Sequence, residues 1–343
     1  MKNWLRAKGN NNEIVLSSRI RLARNLEDIP FPDRLDEEKG KEIVKTVEDA
    51  FYTSSHTEEN YKSKYLWMNE HDVNKSYYEK HLISAKLLNN YKKSAFIVDK
   101  DEVVSLMINE EDHIRLQCIT AGFNLEEAYE TAGKLDDFLE EKLTYAFDEK
   151  LGYLAACPTN LGTGLRASVM VHLPALSINN EMNGVLNAVT QVGMTVRGLF
   201  GEGSTAEGDL YQISNQVTLG LTEEEIISNL KAVVNEIINK EQWCREQLVK
   251  YYRYELEDKV YRALGVLKSA VLINSKESLN LISNVRMGVE MGIIKDVKAE
   301  TLNSLLVETQ PSTLQLISNA KLSEKDRDFN RAKLIRTRLG TIN

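Results

Sequence analysis

The sequence has few of the features that mark secreted or membrane-spanning proteins. Only 3 of its 343 residues are cysteine, at positions 118, 157 and 244, and no two of them form a Cys-x-x-Cys pair. This number and spacing argue against a disulfide framework or a structural zinc site. The chain also has no long uninterrupted apolar run, and its first residues lack the apolar core of a signal peptide. We therefore expect free thiols, no membrane association and a cytoplasmic protein.

Basic residues are also fewer than acidic ones. The chain has 43 basic and 51 acidic residues, which gives a net charge of −8. We therefore expect no general electrostatic attraction to nucleic acid or to an anionic membrane, although local basic clusters can still bind phosphate. At about 150 residues per domain, the length leaves room for about two domains.

One stretch combines a thiol, two glycines and an arginine, because residues 157–166 read CPTNLGTGLR. The proline after Cys157 disfavours helix at the cysteine, which predicts an extended segment where the chain leaves a strand for a loop. Gly162 and Gly164 would let the backbone turn its N–H groups toward an anion, and Arg166 could hold phosphate oxygens. A buried cysteine followed by an ordinary turn is the alternative.

A second cluster lies near the amino terminus, where residues 13–24 begin apolar and then alternate apolar and basic positions. In a strand, Arg19 and Arg21 share one face because side chains alternate with period two. Two parallel guanidinium groups suit a polyphosphate. A solvated edge strand that basic residues protect from aggregation is the alternative.

Acidic residues and glycines form two further clusters. Residues 95–98 and 103–108 predict paired strands, and the second strand runs into residues 109–115, NEEDHIR. So many ionisable groups beside an apolar strand are costly unless they face a polar cleft, and a solvated acidic turn is the alternative. Residues 196–204, VRGLFGEGS, follow an apolar run, and their alternative is a simple glycine-rich hairpin.

The remaining predictions concern helices and loops. Thr222 and Glu225 form a capping box that opens a long helix, and the composition after it indicates an all-helical region. The other predicted elements are a helix at 36–51, a loop at 53–63, a helix at 125–147, a buried helix or strand at 167–173, and helix breaks near Gly265, Asn274, Gly292 and Pro311.

Together these clusters resemble the motifs of the guanidino (phosphagen) kinases, the family that includes creatine and arginine kinases. Residues 157–163 match Cys-Pro-[Ser/Thr]-Asn-Leu-Gly-Thr, residues 109–115 match Asn-Glu-Glu-Asp-His-[Leu/Ile]-Arg, and residues 17–21 match Ser-Ser-Arg-x-Arg. The resemblance implies an α+β fold, with an antiparallel β-sheet flanked by helices in a catalytic domain at 1–244. An all-helical C-terminal domain would follow at 245–343.

The resemblance also implies roles for individual residues. Glu111 and Glu202 would hold a guanidinium group and accept its proton, while ATP would bind with Mg²⁺ bridging its phosphates. Creatine kinases lack the second acid, so Glu202 indicates an arginine or arginine-like acceptor. The implied catalytic residues are Glu111, Glu202 and Cys157, and no metal ligand from the protein is expected. The implied ATP-binding residues are Ser17, Ser18, Arg19, Ile20, Arg21, His81, Arg115, Arg166, Ala167, Ser168, Val169, Met170, Arg197, Gly198, Leu199, Phe200, Gly201 and Glu202.

Residues 327–332, RDFNRA, are similar to the Arg-Asp-x-x-Arg-Ala motif of the bacterial protein-arginine kinases, where it forms a phosphoarginine-sensing pocket. On a helix, Arg327 and Arg331 lie one turn apart and could hold one phosphate between them. A solvated basic helix face is the alternative. The implied phosphoarginine-binding residues are Arg327, Asp328, Arg331 and Ala332.

The predicted function is ATP-dependent phosphorylation of arginine side chains in proteins. Small-molecule guanidino kinases place a substrate-clamping helical domain before the Ser-Ser-Arg-x-Arg motif, whereas here sixteen residues precede Ser17. The resemblance implies a homodimer in stress response and protein quality control, with a Clp-type unfoldase, a heat-shock repressor and an activator protein as partners. Two other functions stay open, namely a catalytically silent phosphoarginine-binding adaptor and a kinase for a free small guanidino compound.

Overall fold

The structure, a computed structural model, describes residues 3–199 and 206–340. Its strands are β1 (Val15–Arg24), β2 (Tyr61–Tyr65), β3 (Ala95–Asp99), β4 (Val104–Ile108), β5 (Ile114–Ala121), β6 (Phe147–Asp148), β7 (Gly152–Tyr153), β8 (Leu165–His172), β9 (Met194–Arg197) and β10 (Leu210–Asn215). Among these residues, eight strands form one antiparallel sheet in the order β2-β3-β4-β5-β1-β8-β10-β9. Strands β6 and β7 form a separate small hairpin.

Helices pack on the sheet and form most of the region after it. They are α1 (Glu37–Phe51), α2 (Ser55–Asn60), α3 (His71–Glu79), α4 (Ala85–Asn89), α5 (Leu125–Glu140), α6 (Pro174–Ile178), α7 (Met182–Gln191), α8 (Glu223–Tyr251), α9 (Arg253–Ser269), α10 (Ser275–Glu290), α11 (Ala299–Glu308), α12 (Pro311–Ser318) and α13 (Glu324–Leu339). An antiparallel sheet with flanking helices and a helical C-terminal region confirms the predicted fold class. None of the described helices is long and apolar enough to cross a membrane.

Strand β1 lies inside the sheet, between β5 and β8. Its side chains alternate as the sequence predicts, because Ile20 and Leu22 are buried in the core while Arg19 and Arg21 point to the other face. The edge-strand alternative for this segment is therefore wrong. Helix α5 packs against β1 and β5, and α8 packs against β8 and β10.

Several local predictions are confirmed and others are wrong. Helix α1 begins after its cap Asp36, and Thr222 and Glu225 form both bonds of the predicted capping box at α8. Residues 53–63 are not a loop, because they contain α2 and the start of β2. The helix predicted at 125–147 ends at Glu140, and Gly265 lies inside α9 rather than at a break.

One hydrophobic core extends through the sheet and the helical C-terminal region. A single cluster of buried apolar side chains runs from Trp4 to Leu339. The predicted division after residue 244 falls inside α8, which continues to Tyr251. The two regions therefore share their core, and each of them contributes side chains to it.

Candidate active site

Arginines from neighbouring strands meet on one face of the sheet. Arg21 of β1 pairs directly with Arg166 of β8, and Arg19 pairs with Ser168. On the other side of β1, Arg21 lies opposite Gln117 of β5. Because directly opposed residues of an antiparallel sheet project to the same face, these polar side chains form one continuous surface.

This surface is the floor of a cleft of about 570 Å³. Its walls come from the end of α3, from α4, from the turn between β4 and β5, and from the segment around Cys157. The lining residues include Arg19, Arg21, His81, Ser84, Lys86, Glu110, Glu111, Arg115, Gln117, Cys157, Thr159, Asn160, Arg166, Arg197, Leu199 and Gln212. Four predicted clusters, distant in sequence, therefore converge on one site.

The cleft is strongly cationic. Burial and the neighbouring guanidinium groups of Arg115, Arg166 and Arg197 lower the pKa of Arg19 to about 9. Burial and the same kind of repulsion lower the pKa of Arg21 well below its usual value. The Nε atom of Arg21 is buried and has no hydrogen-bond partner among the described residues. A polyanion between these side chains would relieve the repulsion and accept the unused donor, so the cluster fits a polyphosphate.

The turn between β4 and β5 presents acidic side chains to the cleft. Glu110 is buried and accepts two hydrogen bonds of 2.7 Å from Nη1 of Arg115. Burial opposes its ionisation, but the Arg115 cation and the Ser84 hydroxyl keep the pKa of Glu110 below its usual value. The predicted phosphate ligand Arg115 is therefore also a structural partner of Glu110.

Glu111 is the carboxyl of this turn that remains available for chemistry. Burial first, and then the charges of Glu110 and Asp112, raise the pKa of Glu111 above its usual value. A carboxylate with a raised pKa is a stronger base, and it lies in the cleft that holds the arginine cluster.

The segment around Cys157 is held against the same turn. The Ala156 N–H donates to Oδ1 of Asp112 at 2.7 Å, and the Asn25 side chain bridges Asp112 Oδ1 and the Leu154 carbonyl. Cys157 has the extended backbone that the following proline predicts, with φ −100° and ψ 125°. Its Sγ lies 3.0 Å from the Thr159 hydroxyl, and the side chain is partly exposed.

Gly162 and Gly164, which the sequence analysis interpreted as a phosphate-binding turn, are not among the residues that line the cleft. Both have positive φ, at 96° and 63°. A Cβ at Gly162 would lie 2.7 Å from the Thr218 carbonyl oxygen, and one at Gly164 would lie 2.6 Å from that of Ala23. These glycines permit close chain approach, which is the other reason for a glycine at such positions.

The run of predicted ATP-binding residues is divided between two faces of the sheet. Arg19, Arg166, Ser168 and Met170 project to the arginine face, and Ser17 lines a small cavity beside the cleft with His81 and Trp4. Alternation sends the side chains of Ser18, Ile20, Ala167 and Val169 to the opposite, buried face, so they contribute no side chain to the cleft. Gly198 and Leu199 follow β9. Phe200, Gly201 and Glu202 lie outside the described residues.

His81 lies where α3 ends. Its ring lines the cleft, and burial and the nearby Arg19 lower its pKa to about 3, so the imidazole is neutral at neutral pH. The lining residues that the sequence analysis missed include Ser84, Gln117 and Gln212. Gln117 follows Arg115 by two residues in a strand, and the period of two is the signal that could have found it.

Arg331 of the C-terminal motif is only 2% exposed. Its Nε donates to the Thr309 carbonyl at 2.8 Å, and its Nη1 donates to the Ile273 carbonyl at 2.9 Å and to Asp328 at 2.6 Å. Arg327 is more exposed and donates to the Leu322 carbonyl. Ala332 is buried. The two arginines thus differ, because Arg331 already binds structural acceptors.

Comparison with known proteins agrees with this geometry. Residues 42–244 match the family "ATP:guanido phosphotransferase, C-terminal catalytic domain", and residues 253–343 match "Protein-arginine kinase McsB C-terminal domain". The chain is 64% identical over 340 residues to a protein-arginine kinase of Clostridium kluyveri, covering 99% of both chains. It is 59% identical over 339 residues to a protein-arginine kinase of Clostridium acetobutylicum, covering 99% of this chain and 100% of that one.

A solved structure of lombricine kinase is similar to this fold. The TM-score is 0.59 at 27% identity, over 68% of this chain and 67% of that chain. The sheet with its flanking helices thus has the fold of a guanidino kinase, and the helical C-terminal region matches a family of its own. The chain belongs to the protein-arginine kinases of the ATP:guanido phosphotransferase family.

Proposed function

We propose that this chain transfers the γ-phosphoryl group of ATP to the guanidinium groups of arginine side chains in other proteins. The observation that carries the proposal is the meeting of the arginine cluster and the Glu111 carboxylate in one cleft. Similarity over nearly the full chain to proteins named protein-arginine kinase supports an acceptor carried on a protein.

In this proposal the nucleotide phosphates lie among Arg19, Arg21, Arg115, Arg166 and Arg197. Strands β1, β5, β8 and β9 fix these side chains before the nucleotide arrives, so their charges need little rearrangement. Mg²⁺ enters with ATP, because phosphate oxygens are the hard ligands that it prefers, and it adds charge neutralisation. Among the described residues, no group of His, Cys, Asp and Glu side chains forms a metal site.

The acceptor nitrogen is a poor nucleophile while its guanidinium is protonated, since the pKa of arginine exceeds about 12. In the reaction an N–P bond forms, the bond from the γ-phosphorus to its bridging oxygen breaks, and ADP leaves. The proton released from the nitrogen goes to the carboxylate of Glu111, whose raised pKa suits a base. By the sequence match, Glu202 would hold the other side of the guanidinium fork. The Cys157 thiol lies in the same cleft and would align the acceptor.

The wider setting is also a proposal that rests on the family resemblance. We propose a cytoplasmic homodimer that acts in stress response and protein quality control. Its partners would be a Clp-type unfoldase, a heat-shock repressor and an activator protein. The motif around Arg327 would bind phosphoarginine and make the enzyme responsive to its own product.

An acceptor assay tests the function. The full chain is given ATP and Mg²⁺ with an arginine-rich protein, with the same protein after its arginines are replaced by lysine, or with free arginine. We expect acid-labile phosphate on the first protein alone, and none when Glu111→Gln replaces the unmutated enzyme. Phosphate on free arginine alone would instead identify a small-guanidine kinase. Phosphoarginine binding without any phosphate transfer would identify an adaptor.

A further inference from the structure

The end of α3 carries a restrained side chain into the cleft. His81 has φ 62°, a left-handed conformation that is uncommon outside glycine. Its N–H donates to the Tyr78 carbonyl at 2.9 Å, the Leu82 N–H donates to the Tyr77 carbonyl at 3.0 Å, and the His81 carbonyl accepts from Gln117 at 2.8 Å. Such a conformation persists only where the surroundings hold it, and it clusters at functional sites.

Glu79, two residues before His81, ties this helix end to the C-terminal region. Its side chain is buried, and its carboxylate accepts the Ser312 N–H at 3.0 Å, the Thr313 N–H at 2.7 Å and the Thr313 hydroxyl at 2.8 Å. These groups open α12, whose own N-cap residue Gln310 makes no side-chain cap bond. Glu79 thus caps a helix that lies more than two hundred residues later in the chain.

The other end of α3 contacts the same helix start. Asp72 accepts a hydrogen bond of 3.2 Å from the Ser312 hydroxyl. Just before α12, the Thr309 carbonyl accepts the hydrogen bond from Arg331 of α13. Hydrogen bonds therefore join α13 to Thr309 and Glu79 to the start of α12, and the short chain segment 309–312 connects the two contacts. From Glu79, two residues of backbone lead to His81.

We infer that Glu79 is a positioning residue for the nucleotide site. By binding the start of α12 it fixes the end of α3, and thereby holds His81 against the floor of the cleft. The affinity for ATP then depends on the helical C-terminal region, which contributes no lining residue to the cleft among those described. This inference rests on the proposed function in one respect, because it takes the cleft around His81 as the ATP site.

The substitution Glu79→Gln tests the contact with little change of size. Both carboxylate oxygens accept hydrogen bonds from α12, so an amide would place its NH₂ group against an N–H donor. Thr313→Val provides a milder variant on the other side of the contact, since it removes one donor to Glu79. Glu102→Gln is the matched control, because Glu102 pairs with Lys80, beside His81, at 2.7 Å and makes no bond to α12.

The measurements are calorimetric titration of each full-length variant with ATP and Mg²⁺, and steady-state kinetics. We expect Kd and KM for ATP to rise about 5- to 10-fold in Glu79→Gln, in the lower range of couplings between sites. Thr313→Val should shift the same values in the same direction by less. kcat at saturating ATP should fall less than the affinity does, and Glu102→Gln should bind ATP like the unmutated protein.

Two results would overturn the inference. One is unchanged ATP affinity in a Glu79→Gln protein that keeps its far-ultraviolet circular dichroism, or in Thr313→Val if the first variant does not fold. The other is an equal loss of affinity in Glu102→Gln, which would indicate general loosening near His81. Both results leave arginine phosphorylation by the unmutated protein intact. Absence of that phosphorylation would instead refute the proposed function, while the ATP titrations still decide the role of Glu79.

Discussion

Two adjacent glutamates, Glu110 and Glu111, have different surroundings and therefore different roles. Glu110 is buried and bound to Arg115, and its pKa lies below the usual value. Glu111 is half-buried beside two other acids, and its pKa lies above the usual value. Environments that push the pKa values of neighbouring acids apart separate a structural carboxylate from a base, so Glu111 is the member of this pair that we assign to proton transfer.

We expect Glu111→Gln to lower kcat by about 10²-fold or more while KM for ATP changes little, because the amide cannot accept the proton of the acceptor nitrogen. Steady-state kinetics with an arginine-rich protein measure both constants. Glu141→Gln, at an exposed position after α5, is the control and should behave like the unmutated enzyme. A variant that keeps its turnover would remove Glu111 from the mechanism.

Cys157 is open to a selective chemical test. It is partly exposed in the cleft, whereas Cys118 and Cys244 are buried. We expect a thiol-alkylating reagent to inactivate the enzyme and ATP with protein substrate to slow the inactivation, because they would fill the same cleft. Cys157→Ser should retain part of the activity and resist the reagent. Equal inactivation of the serine variant would show that the effect comes from another residue.

The sequence predicted the side chains of the site better than its backbone. The period of two placed Arg19 and Arg21 on one face without any tertiary information. The positive φ angles of Gly162 and Gly164 could be expected, because glycine adopts positive φ readily. The chain segments that pack against these glycines could not be predicted. Those segments lie around residues 23 and 218, and the local sequence does not encode which distant segment will pack there.

At the level of elements, Arg24 joins β1, α5 and the loop that follows Cys157. Its guanidinium donates to Asp136 of α5 and, at 2.9 Å, to the Thr163 carbonyl. The same group lies 3.5 Å from the centre of the Tyr153 ring. The Arg24 side chain is 2% exposed, and Asp136 is buried as well. The position of the Cys157 loop therefore depends on a charge pair in the core.

Arg24→Ala should lower the free energy of unfolding by about 3–5 kcal/mol, because it leaves Asp136 buried without its cation. Urea denaturation followed by circular dichroism measures the change. The control is Arg262→Ala, which breaks an exposed pair within α9 and should cost less than about 1 kcal/mol. Similar losses in the two variants would contradict a special role for the buried pair.

Helix α13 carries the two arginines of one sequence motif, and their surroundings in the structure differ. Arg331→Ala should lower the melting temperature, because two backbone carbonyls and Asp328 lose their buried donor. Arg327→Ala should leave the melting temperature nearly unchanged and weaken binding of a phosphoarginine peptide. Thermal unfolding and calorimetry separate the two effects. Equal affinity of the unmutated protein for phosphorylated and plain peptides would return Arg327 to the solvated-face interpretation.

Element prediction succeeded where capping chemistry was local and failed where tertiary contacts decided. The capping box of Thr222 and Glu225 predicted the start of α8, and the helical spacing of apolar residues predicted α1. Strand β2, YKSKY, is short and polar, and it is a strand because β3 offers it a partner. Gly265 remains helical within the long helix α9. There it destabilises the helix by little more than the intrinsic free-energy difference between glycine and alanine in a helix.

At the scale of the whole molecule, buried polar groups connect the sheet to the helical C-terminal region. Arg286 of α10 is buried and donates to the Asn12 carbonyl at 3.0 Å. His172 of β8 contacts the Ser283 hydroxyl at 2.8 Å, and Ser283 donates to Asp209 at 2.9 Å. Because of these contacts and the shared apolar core, we expect the two regions to unfold as one unit.

A fragment of residues 1–252 tests this expectation, because it removes α9–α13 and exposes to water the apolar side chains that share a core with those helices. Full burial of one large apolar side chain contributes about 1.5–3 kcal/mol, and each kcal/mol lost lowers the melting temperature by about 2–4 °C in a chain of this size. We therefore expect the fragment to be insoluble or to melt at least about 10 °C below the full chain. The full chain should unfold in one transition, coincident by tryptophan fluorescence and circular dichroism. A fragment that melts like the full chain, or two separate transitions in the intact protein, would show instead that the regions fold independently.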